Sequence, residues 1–176
     1  GNRKPPWDAR DLRRVPYAVA WELQRRLVEQ RHAEEIGDVL LICEHDPVIT
    51  AGRGTADGFL LDDRFEVFEV ERGGEATYHG PGQIVAYPIV KLADDAHDLH
   101  GWMRAMEAAV MQTLLAFDLT SRRRSGDTGV WTADGARKLC SIGVAARRWV
   151  TYHGLALNHA PDLSHFSAIR PCGLHA

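Results

Sequence analysis

Three cysteines, nine histidines and a run of glycines hold most of the chemistry available to this chain. Cys172 stands between Pro171 and Gly173, directly after a helix-like stretch, where the flanking residues fix the backbone and leave the sulfur uncrowded. A thiol so placed can act as a nucleophile, although cysteine more often serves as a small buried hydrophobe. Cys43 and Cys140 lie inside apolar strand-like runs and read as that second kind. Lys138 opens the run LCSIGVAA, where an ammonium beside apolar residues must reach solvent or a partner. Next to a thiol it would favour the thiolate. His79 and His153 are each followed by glycine and offer either a general base or structural hydrogen bonds. No His-x-x-x-His pair and no short cysteine spacing occurs, so neither a metal site nor a disulfide framework is expected.

Around these residues the chain is densest in special backbone from Arg72 to Pro88, RGGEATYHGPGQIVAYP, with four glycines and two prolines. Glycine lets a backbone lie close against another surface, so this run could line a ligand site or simply turn the chain between two strands. Thr-Tyr-His-Gly occurs at Thr77 to Gly80 and again at Thr151 to Gly154. No longer period surrounds the two copies, which predicts two walls of one site and not a repeat architecture.

The elements that would position these residues follow from hydrophobic periodicity. Helices are predicted over Tyr17 to Ile36, over Leu99 to Phe117 with Leu99, Trp102, Met103, Met106, Val110, Leu114 and Phe117 inward, and over Pro161 to Ile169 with Leu163, Phe166 and Ile169 inward. Strand composition marks Asp38 to Cys43, Val48 to Ala51, Glu66 to Glu71, Gln83 to Leu92 and Trp149 to Asn158. Gly129 to Thr132 and Ala136 to Ala146 form a hairpin around Asp134-Gly135. Helices and strands in this order imply an α+β fold with a mixed or antiparallel sheet, not the regular alternation of a doubly wound one.

With 176 residues, 45% of them hydrophobic, the chain is expected to form one domain over 1–176. No run is apolar for long enough to span a membrane and no signal sequence opens the chain, so the expected location is the cytoplasm. A net charge of −3 argues against general nucleic-acid binding. Arg122, Arg123 and Arg124, with Arg147 and Arg148, are either a solvated surface or a docking patch for an acidic partner.

Taken together, RGGEATYHGPGQIVAYPIVKL, GVW, ARKLCSIGV, TYHGLALN and IRPCG closely resemble the lipoyl (octanoyl) transferases of lipoate biosynthesis, in order and in spacing, from about Glu44 to Gly173. The resemblance implies an α+β fold similar to the catalytic domain of biotin and lipoate protein ligases. It implies octanoyl-[acyl-carrier-protein]:protein N-octanoyltransferase activity, with no cofactor and no metal. The implied donor is octanoyl acyl carrier protein, and the acceptors are lysines in the lipoyl domains of 2-oxoacid dehydrogenases and in the glycine cleavage H protein, with no nucleic acid and no membrane involved. Carried onto this sequence, it makes Cys172 the acyl-thioester nucleophile and Lys138 its activator. Arg72, Gly73, Gly74, Glu75, Ala76, Thr77, Tyr78 and His79, Ser141, Ile142 and Gly143, and Gly154, Leu155 and Ala156 match substrate-binding segments. Cys140 departs from the family, standing where a small residue such as alanine is expected. The chain begins without Met and stops four residues past Cys172, as expected of a piece lacking the segment that follows Pro-Cys-Gly in the family.

Three other functions fit parts of the pattern. An ATP-dependent lipoate or biotin protein ligase would share the sheet but have no need of Cys172. A non-catalytic carrier-protein binding module would bind without acquiring mass. A cysteine hydrolase would pass the acyl group to water.

Overall fold

In VLLICE every second side chain is apolar and inward, the pattern of a strand packed on a core, and Val39–Glu44 (β2) adopts it with Val39, Leu41 and Cys43 buried. The computed structural model describes residues 7–170. Within them β2 pairs on one side with Asp8–Arg14 (β1) in parallel and on the other with Gln83–Ile89 (β6) antiparallel. Beyond β6 come Val150–Asn158 (β10), Lys138–Arg147 (β9), Asp127–Thr132 (β8) and Ser121–Arg124 (β7), each antiparallel to its neighbour. The result is a mixed seven-stranded sheet ordered β1-β2-β6-β10-β9-β8-β7. A second sheet places Val48–Ala51 (β3) between Val67–Glu69 (β4) and Thr77–His79 (β5).

Two helices cover the large sheet. Tyr17–His32 (α1) packs on β6 and β10 with Tyr17, Ala20, Leu27 and Val28 in the core. Its predicted end at Ile36 is too late, because Glu34 adopts φ 62°, a left-handed conformation that a helix cannot continue through. Leu99–Leu115 (α2) packs on β7, β8 and β9 with Met106, Val110 and Leu114 buried. Asp118 at φ 59° lies just past the end of α2, and Phe117, expected inward, is 73% exposed. The predicted last helix is a 3-10 segment, Leu163–Ala168, whose first residue Leu163 is 65% exposed instead of inward. Ile169 after it is buried and bridges Leu60.

The α+β class and the mixed sheet are as expected from sequence. β1 was not foreseen, since DARDLRR has no apolar alternation to betray a strand. No helix among the described residues is long and apolar enough to cross a membrane.

Candidate active site

A guanidinium organises the glycine-rich stretch. Arg72 is buried, and its Nη1 donates to the carbonyls of Gly73 (3.0 Å) and Glu75 (2.8 Å) while Nη2 donates to the carbonyl and hydroxyl of Thr50 on β3 (2.8 Å each). The loop therefore curls around its own arginine and is tied to the small sheet. Gly73 N–H donates across to the Val144 carbonyl of β9 at 3.0 Å, which fastens the loop to the large sheet as well. Gly143 makes this crossing possible, since a Cβ there would come within 3.1 Å of Arg72 Cδ and of the Gly73 oxygen.

Between this loop and the sheet lies a cleft of about 1230 Å³, larger than the ~300–1,000 Å³ of most small-molecule pockets. Arg72 to Thr77, His79, Lys138, Ser141 to Gly143 and Gly154 to Ala156 all line it. Both Thr-Tyr-His-Gly copies contribute, His79 from β5 and His153 from β10, as the repeated tetrapeptide predicted. Tyr78 does not line the cleft; it is buried on the other side of β5, where its hydroxyl meets His165 Nδ1 at 2.7 Å. The alternation of a strand requires this, as Tyr78 lies between Thr77 and His79.

Burial makes the cleft histidines neutral hydrogen-bonding groups. His79 is pushed down to about 3 by burial, helped by His45 and Arg72, and its Nδ1 meets Gln83 Oε1 at 3.1 Å. His153 is lowered first by burial, while its Nε2 contacts Glu71 Oε2 at 3.0 Å. Glu71 also accepts from Trp21 Nε1 and Arg25, and these bonds, led by the one to His153, hold its carboxyl far below the usual range. Neither imidazole is suited to gain a proton near neutral pH. Cys43 and Cys140 are both buried, with thiols pushed up to about 12 by burial, which leaves them inert as nucleophiles. Cys172 lies outside the described residues; Ile169, three positions before it, lines the cleft.

Residues 16–176 match the lipoyl protein ligase A/B catalytic domain family. The chain belongs to this family. Among curated relatives, the octanoyltransferase of Gloeobacter violaceus is 47% identical over 91% of this chain and 72% of its own length. That of Chloroflexus aggregans is 45% identical over 93% of this chain and 77% of its own length. The bi-partite lipoate protein ligase of Thermoplasma acidophilum, solved with a study of its E2 lipoyl domain, superimposes with a TM-score of 0.75 at 20% identity, over 94% of this chain and 66% of that one. At that identity the likeness is one of fold. Within the family fold, Cys140 is accommodated as a buried apolar residue among Val110, Leu114 and Val130.

The cleft also holds residues that periodicity assigned to the core or did not single out. Tyr17 of α1, Tyr87 of β6 and Trp131 of β8 are buried and yet line it. The GVW motif was the one signal that could have marked Trp131. The arginines expected as one docking surface are divided. Arg122 lies opposite Trp131 on one side of β8 and Lys138 opposite it on the other, whereas Arg147 ends β9 and Arg148 follows it, about 30 Å along the strand from Lys138 at ~3.3 Å per residue. Arg147 and Arg148 both pair with Glu29, Arg123 with Glu107, and Arg124 with Asp127.

Proposed function

We propose that this chain transfers an octanoyl group onto protein lysines in lipoate biosynthesis, through a thioester on Cys172. The identity of 47% with an octanoyltransferase over 91% of the chain carries the reading. The cleft supports it, because Lys138, Arg72 and the glycine segments converge on one space that the chain reaches at Ile169 just before Cys172.

In the first half-reaction the Cys172 thiolate attacks the thioester carbonyl of octanoyl acyl carrier protein. A carbon–sulfur bond forms to the enzyme, the bond to the carrier sulfur breaks, and the carrier thiolate leaves and takes up a proton. One thioester replaces another of similar energy, so no ATP is consumed. In the second, the neutral amine of an acceptor lysine attacks the acyl-enzyme, the amide forms, the carbon–sulfur bond to Cys172 breaks, and the proton lost by the amine passes by way of Lys138 to the departing sulfur. The apolar side chains of Ile142, Leu155 and Phe166 in the cleft wall receive the acyl chain. At ~0.8 kcal/mol per methylene an eight-carbon tail gains several kcal/mol there. The acceptors are lipoyl domains of 2-oxoacid dehydrogenases and the glycine cleavage H protein, and the reaction belongs to the cytoplasm.

Intact-mass spectrometry after incubation with octanoyl acyl carrier protein tests this directly. The expected result is one octanoyl adduct, lost in Cys172→Ser and Cys172→Ala and kept in Cys43→Ala, then discharged onto a lipoyl domain without ATP. An adduct that persists without Cys172 would overturn the assignment, and ATP-dependent transfer by Cys172→Ala would make the chain a ligase.

A further inference from the structure

Lys138 does not extend into solvent as a lysine at the start of a strand ordinarily would. Its Nζ lies 5.0 Å from the ring centroid of Trp131, a residue only 4% exposed. The same indole carries the guanidinium of Arg124 at 4.5 Å. A π face attracts an ammonium through the ring quadrupole, and indole does so best among side chains. The Trp131 Nε1–H, by contrast, is buried without a hydrogen-bond partner among the described residues, where a buried indole usually finds one. The face of this ring, and not its N–H, makes the polar contacts.

The backbone is arranged to produce that contact. Val130 is opposite Cys140 but Trp131 is opposite Lys138, so β9 carries one extra residue between these pairs. A bulge of this kind re-aims the adjoining side chain. The stem of Lys138 then passes Gly129, where a Cβ would sit 3.5 Å from Lys138 Cε and 2.6 Å from the Cys140 oxygen, at φ 131°. Gly129 is itself pinned, since its N–H donates to Glu107 Oε1 at 3.0 Å. Glu107 is 0% exposed and bound by Arg104 at 2.9 Å and Arg123 at 2.7 Å, which anchors this point of β8 to α2.

We propose that Trp131 is a positioning residue for octanoyl transfer: its indole face holds the Lys138 ammonium at a fixed place on the cleft wall. This rests on the reading of Lys138 as the group that serves the thiol and the incoming amine. The contact is replaced in steps by site-specific incorporation of mono-, di- and trifluorotryptophan at position 131, which weakens the quadrupole at nearly constant shape. Trp131→Phe, Trp131→Leu and Lys138→Ala are measured alongside, by single-turnover formation of the acyl-enzyme and by steady-state kcat and KM for octanoyl carrier protein.

The rate should fall stepwise with fluorination. Trp131→Leu should lose about ten-fold in kcat with KM within about two-fold, and Trp131→Phe should recover part of the loss. In a Lys138→Ala background Trp131→Leu should cause no further loss, because the two side chains act through one contact. A flat fluorination series, or an equal loss from Trp131→Leu in both backgrounds, overturns the proposal and leaves Trp131 a packing residue. If Lys138→Ala alone transfers at the wild-type rate, the assigned role of Lys138 fails, and this proposal with it. Should Trp131→Leu not fold, the fluorinated series decides alone.

Discussion

Removing the ammonium of Lys138 should change the thiol that it is proposed to serve. A free cysteine titrates near ~8.5, and Lys138→Ala is expected to slow alkylation of Cys172 at neutral pH and move its pH profile upward. Lys138→Arg keeps a charge without a readily titratable amine, so it should preserve thiolate formation better than amine acylation. The measurement is the iodoacetamide rate against pH, read at Cys172 by peptide mass. Superimposable profiles for wild type and Lys138→Ala would remove Lys138 from thiol activation. Cys43 and Cys140, pushed up to about 12, should stay unlabelled throughout and report any unfolding. At this scale the sequence was most legible where residue types are unusual. Histidine and glycine repeated in one tetrapeptide announced two walls of a cleft, and both walls are there. Tyr17 and Trp131 could not be found that way, since an aromatic residue at a core spacing looks the same whether its far edge meets a leucine or a cleft.

Two glycines of the site predict opposite outcomes from the same substitution. In Gly73→Ala the new methyl would meet only the Val144 oxygen, at 3.8 Å, so stability should hold within about 0.5 kcal/mol. A fall in octanoyl transfer would then report crowding of the ligand. In Gly154→Ala the methyl would overlap the Ala86 carbonyl oxygen and reach within 2.8 Å of Pro88 Cδ, wedging β10 away from β6. About 3 kcal/mol or more should be lost, measured by urea unfolding of both variants. Equal stability of the two would refute this account of the strand spacing. The legibility of elements followed the same physical line. α2 declares itself because its apolar residues keep the helical period, and β2, β3 and β6 because their runs of apolar residues are largely buried. Where pairing alone makes the strand, as in β1, the side chains keep no period. Where a left-handed residue stops a helix, as at Glu34, the apolar pattern runs on past the stop.

For the molecule as a whole, buried histidines make acid the condition that unfolds it. The folded value of His79 is about 3, and burial lowers His45 and His153 as well. An unfolded histidine titrates near ~6.5, so the unfolded chain binds more protons below that pH and stability falls as pH drops through the window from about 6.5 to 3. Each histidine contributes roughly 1 kcal/mol per pH unit while it remains neutral in the fold. Glu71, held low by His153, adds a loss in the same direction once pH passes below about 4.5, the ordinary carboxylate range. The thermal midpoint should hold from pH 7.5 to about 6.5 and then decline down to pH 4.5, less steeply in His79→Gln; equal slopes for the two proteins below pH 6.5 would show that His79 carries none of the dependence. Charge also marks the two ends of the large sheet. Among the described residues the outermost strands are DARDLRR on one side and SRRR on the other, each with an edge that no described strand covers. Charged side chains on an edge strand disfavour its pairing with another chain, which gives the arginines of β7 a task independent of any carrier protein. Arg122→Val with Arg124→Val should therefore produce concentration-dependent association in sedimentation velocity. A strictly monodisperse double variant would return those arginines to the question of docking. Association between molecules is thus a matter for the two outer strands, apart from the core that decides the fold.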